Sequence, residues 1–235
     1  NLQKLVEDLY GSRRGALVAI EPATGEVLAF VSKPTYDPNL FVEGIDQDTW
    51  SELNESINRP LFNRALRGTY PPGSTFKPFM ALAGLESGRI TAQTSVNDVG
   101  NWVLAGRSFR GHATGWVNLE QSITRSSNAY YYQLAYNMGI AAINRYLAPL
   151  GFGRETGIDL PGEARGVLPN PEWKRQAMSR YKDRRMQTWL PGDTVNVGIG
   201  QGFNNYTMLQ LAHATATLAA GGIKRAPHQI GRAHV

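Results

Sequence analysis

The segment Tyr70-Pro-Pro-Gly-Ser-Thr-Phe-Lys-Pro-Phe-Met-Ala-Leu-Ala-Gly-Leu85 admits few local structures. Pro71, Pro72 and Gly73 keep a helix from starting early, and the apolar residues after Ser74 favour one from there on. Pro78 falls in the first turn, where a backbone N–H has no intrahelical partner to lose. Gly88 ends the element. Phe76, Phe79, Met80 and Leu82 give it an apolar setting. At 235 residues and 42% apolar, the chain is long enough to bury a sizeable core.

The rest of the chain divides around that helix. Residues 1–14 read as a helical or linker lead-in. Gly15 to Ile20 and Val27 to Val31 are apolar runs joined by the turn residues Glu21-Pro-Ala-Thr-Gly25, a β-hairpin buried on one or both faces. Residues 34–68 mix turns with short helical pieces around Trp50 and Leu53, and residues 90–117 read as loops and short strands. Leu119 to Met138 is expected as one helix stopped by Gly139, and Ala141 to Leu150 as a shorter one closed by Gly151. Thr207 to Ala220, Ala-rich and ended by Gly221-Gly222, is a buried helix, and another strand is expected from Ile223. A hairpin followed mostly by helices indicates an α/β or α+β domain.

Composition excludes several classes. There are no cysteines, hence no disulfide, thiol nucleophile or Cys-ligated zinc, and no run of about 18 apolar residues suited to crossing a bilayer. The net charge of +5 is uneven: Glu163 to Arg185 holds seven cations and three acids. With Pro169, Pro171 and little apolar periodicity, that stretch reads as a long exposed loop. No nucleic-acid motif accompanies it, and only Trp173, Tyr181 and Trp189 interleave with the charge, so nucleic acid is not expected as a partner.

The reactive chemistry centres on Ser74 and Lys77, a hydroxyl and an amine at i and i+3 on one helix face. At a helix N-terminus the dipole favours developing negative charge on Ser74, and its own N–H could form half of an oxyanion hole. Burial would lower the lysine from its usual range and let it act as a base. Spacing alone does not decide this, since Ser179 and Lys182 repeat it; there Arg180, Asp183, Arg184 and Arg185 would keep the amine solvated. A second element is Ser126-Ser-Asn128. Ser56-Ile-Asn58 and Ser95-Val-Asn97 share the pattern, but only Ser126 precedes an apolar-aromatic block, Ala129 to Ala135. Residues two apart do not share a helix face, so Ser126 and Asn128 would have to be presented from a turn between helices. The plainer reading is a polar capping cluster.

The block Tyr70 to Pro78 resembles the active-serine block of class B penicillin-binding proteins, with Ser126-Ser-Asn128 as their second motif. Pro60-Leu-Phe-Asn-Arg-Ala65, Gly157-Ile-Asp-Leu-Pro-Gly162 and Gly192-Asp-Thr-Val-Asn-Val-Gly-Ile-Gly-Gln-Gly202 resemble the elongation branch of that family, so the likeness runs from about residue 12 to 228. It implies a transpeptidase fold of the D,D-peptidase and β-lactamase type, an antiparallel sheet flanked by helices. It implies that Ser74 attacks the penultimate D-Ala carbonyl of a peptidoglycan stem peptide and that Lys77 accepts its proton. Ser126 would relay a proton to the leaving amine, and Asn128 would hold the substrate amide and orient Lys77. Ser127, Asp193, Thr194, Gln201 and Gly202 would bind substrate. Penicillins and other β-lactams would acylate the same serine. No metal or organic cofactor is implied.

The family's third motif, Lys-Ser/Thr-Gly, does not occur in these 235 residues. The last strands of the sheet and the C-terminal helix are therefore expected to be missing, and the chain to be inactive alone. Residues 1–11 would be a linker from a preceding pedestal domain, residues 12–228 the partial transpeptidase domain, and residues 229–235 a non-native tail. The resemblance further implies a periplasmic domain of an inner-membrane-anchored protein, partnered by a membrane glycosyltransferase and cell-shape (elongation) proteins. A serine β-lactamase, a D,D-carboxypeptidase and a non-enzymatic β-lactam sensor share the first two motifs and remain open at this point.

Overall fold

The computed structural model describes residues 2–230; residues 231–235, on which most of the expected non-native tail falls, lie outside the described residues. The chain divides into two compact units. One comprises residues 2–70, 154–166 and 206–230, the other residues 71–153 and 167–205. Both mix helices with strands, and the strand pairs among the described residues are antiparallel.

The first unit opens with the helix Leu2–Tyr10 and the expected hairpin, Gly15–Ile20 against Val27–Lys33, with Leu17 opposite Val31. Gly25, at φ +88°, closes its turn, a conformation glycine adopts without steric penalty. Ala29 and Val31 lie two apart and share one buried face, as strand periodicity requires. The helix Gln47–Glu55 carries Trp50 and Leu53. Thr207 and Gln210 form a reciprocal capping box that starts the helix Met208–Ala219. Leu209 then joins Leu66 and Ile158 in a core packed by Val18, Ile20, Val27 and Phe30 of the hairpin. Among the described residues the strand expected from Ile223 does not form, and His228 makes an isolated bridge to Glu26. Pro227 lacks a ladder donor, and Lys224-Arg225 break the apolar run.

In the second unit a 3-10 turn, Gly73–Phe76, leads into the α-helix Lys77–Glu86. Phe76 and Phe79 pack edge-on against Phe152 at 5.2 and 5.0 Å between ring centroids. Residues 90–117 form two small hairpins, Val96–Asp98 with Gly115–Val117 and Asn101–Leu104 with Arg107–Arg110.

Two expectations are corrected in this unit. The single helix from Leu119 to Met138 is two, Leu119–Thr124 and Asn128–Leu147. The first ends with the Ser127 amide bonded to the Ser122 carbonyl and the Ser126 amide to the Ile123 carbonyl, the double closure usually built on a glycine. Ser126 takes the glycine's place at φ +54°, so no residue type announced the break. Gly139 does interrupt the second helix, at φ 74° and ψ 156°, before it continues to Leu147.

The stretch Glu163 to Arg185 is also not a continuous exposed loop. It contains the helix Pro171–Ala177, capped by Asn170, and part of the helix Arg184–Gln187. Lys174 is only 5% exposed, because its charge is met by Asp193 at 2.7 Å. Ser179 and Lys182 are solvent-exposed, as their charged surroundings led one to expect.

Candidate active site

The backbone around Ser74 is shaped by two glycines. Gly73 sits at φ +58°, and its amide donates to the Gly200 carbonyl at 3.0 Å. Gly200, at φ +70°, comes so close that a Cβ there would lie 2.2 Å from the Gly73 carbonyl oxygen. Only glycine permits that approach. The 3-10 turn that follows has an additional effect, because its side chains at i and i+3 eclipse each other. Ser74 and Lys77 are related in this way, with Ser74 exposed and Lys77 1% exposed.

The Lys77 amine points at the turn between the two helices. Nζ donates to the Ser126 carbonyl at 2.7 Å, to Ser126 Oγ at 3.0 Å and to Asn128 Oδ1 at 2.8 Å. The ring of Tyr131 faces it, with its centroid at 5.6 Å. Lys77 is not hydrogen-bonded to Ser74. Instead Ser126 Oγ donates to Ser74 Oγ at 3.0 Å, so the serine meets the lysine through a second hydroxyl. Burial pulls the amine down from 10.5 to about 8, opposed by the charge of Asp98.

Ser127 points the other way. Its hydroxyl donates to Asp98 Oδ2 at 2.5 Å and accepts from the Tyr130 amide, capping the helix Asn128–Leu147. Ser74, Lys77, Ser126 and Asn128 are therefore brought together as the sequence suggested, with Ser126 and Asn128 presented from a turn between helices, whereas Ser127, expected to bind substrate, is fully buried and turned to Asp98.

Asp193 and Thr194 are engaged locally: Asp193 Oδ2 accepts from Lys174 Nζ and from the Leu190 amide, and Thr194 Oγ1 from the Trp189 indole at 2.8 Å. Gln201 and Gly202 directly follow the Gly200 that packs on Gly73. Two participants, Asp98 and Gly200, lie outside the residues that the motifs assign to the site. Asp98 stands in a stretch punctuated by Gly and Asn, with no motif around it. Gly200 was visible only as one of several glycines in the Gly192 to Gly202 block.

The arrangement agrees with what comparison finds. Residues 15–234 match the penicillin binding protein transpeptidase domain. The chain is 44% identical over 240 residues to the peptidoglycan D,D-transpeptidase MrdA of Acinetobacter baumannii, covering 99% of the chain and 34% of that protein. It is similar to the crystal structure of Pseudomonas aeruginosa PBP2 in complex with WCK 5153, at 47% identity and a TM-score of 0.89, over 97% of the chain and 51% of the other. It is also similar to the Helicobacter pylori PBP2 that is in complex with MreC, at 35% identity and a TM-score of 0.88, over 97% of the chain and 42% of the other. The chain thus spans about a third of the curated relative's length. With the match running across nearly the whole sequence and the paired serines and lysine in one place, the chain belongs to the penicillin-binding protein transpeptidase family.

Proposed function

We propose that the protein is a peptidoglycan D,D-transpeptidase working through an acyl-serine on Ser74. The observation that carries this reading is the chain Ser74 Oγ, Ser126 Oγ, Lys77 Nζ, with both links at 3.0 Å and the amine buried. The direction of proton flow in that chain follows from its partners. A neutral amine has two N–H bonds and one lone pair for three neighbours. The Ser126 carbonyl and Asn128 Oδ1 can only accept, so the lone pair must face the Ser126 hydroxyl. Ser126 then donates to Lys77 and accepts from Ser74. Loss of one proton from Lys77 thereby reverses the chain and prepares Ser74 to attack. With its value near 8, about one-tenth of the amine is neutral at pH 7.

In the proposed reaction Ser74 Oγ bonds to the penultimate D-Ala carbonyl carbon, and its proton passes to Ser126 as Ser126 passes its own to Lys77. Collapse breaks the peptide bond, and the departing D-Ala amine takes a proton back along the same path. The amine of a second stem peptide then attacks the ester, gives up its proton to the chain and returns Ser74 to a hydroxyl. Covalent catalysis of this kind replaces one difficult displacement by two easier ones. β-Lactams would be attacked by the same hydroxyl. By likeness to the relative in complex with MreC, the protein would act within a cell-shape assembly, on the periplasmic side of a membrane to which the rest of the protein is anchored. Among the described residues, no helix is long and apolar enough to cross that membrane.

The test is to incubate the full-length protein containing this chain with a fluorescent penicillin and follow the adduct by intact mass. A label on Ser74 that persists for many minutes, and is absent from Ser74→Ala, is expected. Turnover within seconds would indicate a β-lactamase, and no label at all would overturn the reading.

A further inference from the structure

Asp98 is 0% exposed, and no cation stands within ion-pair distance of it among the described residues. A buried carboxylate without a counter-charge is costly, so its hydrogen bonds must hold it in place. They come from three directions: Ser127 Oγ at 2.5 Å, the Gly100 amide at 2.9 Å and the Ala129 amide at 3.4 Å. Two of those donors flank Asn128, and Ser127 directly follows Ser126. Ser126 itself is held at φ +54°, a left-handed conformation that costs a serine free energy and persists only when its surroundings impose it.

We propose that Asp98 is a positioning residue for Lys77: by gripping Ser127 and the first turn of the following helix, it holds Ser126 Oγ, the Ser126 carbonyl and Asn128 Oδ1 on the amine. This rests on the reading of Ser74 and Lys77 given above and extends it to a residue outside both motifs. It has an electrostatic consequence. The carboxylate favours the ammonium form of Lys77 and so opposes the effect of burial.

The Tyr131 ring faces the amine. Tyr131 and its neighbours Tyr130 and Tyr132 on the helix Asn128–Leu147 are all raised above the usual phenol range by burial and stay neutral. Arg110, His112 and Arg125, on the adjoining strand, loop and turn, are exposed to solvent. Among the described residues, Asp98 is the buried charge that acts on Lys77.

The test measures the rate of penicillin acylation against pH in the full-length protein, with Asp98→Asn and Ser127→Ala beside the parent. Asp98→Asn keeps a hydrogen-bond acceptor and removes the charge. It should move the midpoint of the rise to lower pH, by on the order of 1 unit. Ser127→Ala keeps the charge and removes the grip. It should lower the high-pH plateau at least tenfold and leave the midpoint in place. A role confined to folding would lower melting temperature without moving the midpoint, and that result overturns the proposal. If Asp98→Asn fails to fold, Ser127→Ala decides: a plateau like the parent's overturns it. Acylation of the parent with unchanged profiles in both variants would sink this inference alone. No acylation of the parent would sink the proposed function and this inference together.

Discussion

Lys77 grips Ser126 twice, through the backbone carbonyl at 2.7 Å and the hydroxyl at 3.0 Å. One residue thus supplies both an anchor for the amine and the hydroxyl that reaches Ser74. The anchor fixes where the relay stands, because the carbonyl and the hydroxyl belong to the same left-handed turn.

The proposed relay gives Ser126 more than a lining role. Ser126→Ala leaves the anchor carbonyl in place but removes the hydroxyl that, among the described residues, joins Lys77 to Ser74. Acylation of Ser74 by a penicillin should fall by about 10²–10⁴-fold, the usual contribution of a positioned proton carrier. Rapid-quench labelling measures it. A loss of less than about tenfold would show that the proton travels another way.

The reaction should also follow the charge on Lys77. Burial lowers the amine to about 8, and the proposed base is its neutral form. The acylation rate should therefore rise about tenfold per pH unit below that value and level off above it. Substituting Lys77→Met should abolish the rise along with most of the rate. A profile flat from pH 6 to 9 in the parent would contradict an amine base.

Gly200 and Gly88 share a positive φ, +70° and +67°, but differ in surroundings. A Cβ at Gly88 meets nothing within 4 Å, whereas one at Gly200 meets the Gly73 carbonyl at 2.2 Å. Gly88→Ala should cost about 1 kcal/mol, from backbone conformation alone. Gly200→Ala should cost more than that, and should depress acylation because the backbone beside Ser74 must shift. Denaturant melts and labelling of the two variants separate these effects. Equal losses would show that the close approach is unimportant.

Lys174 and Asp193 form an ion pair whose side chains are 7% and 19% exposed. Removing one partner leaves a buried charge, so Lys174→Met should destabilise by about 3 kcal/mol. Lys174→Met combined with Asp193→Asn should recover part of the loss. Chemical denaturation of the single and double variants checks this. Full additivity would mean the pair is not coupled, and would leave Asp193 free for the substrate role that the family resemblance implied.

Much of the fold was legible because it depends on neighbours in the chain. Pro71, Pro72 and Gly73 set the start of the helix Lys77–Glu86, Gly25 turns the hairpin, and Gly139 and Gly151 interrupt helices where they stand. The charged run 163–185 misled because charge alone suggests solvation. The signals that mattered there were the Asn170 cap and an acid nineteen residues beyond Lys174.

By itself, the order of residues determined which groups could react: a hydroxyl and an amine three apart, at the head of an apolar helix. Their working relation was settled by contacts across long separations. Ser126 lies 49 residues from Lys77 and 52 from Ser74, and Asp98 lies 29 from Ser127. No local preference puts a serine in a left-handed turn or leaves a carboxylate fully buried. Both conformations are unfavourable taken alone, and they persist because packing and hydrogen bonds from distant segments impose them together.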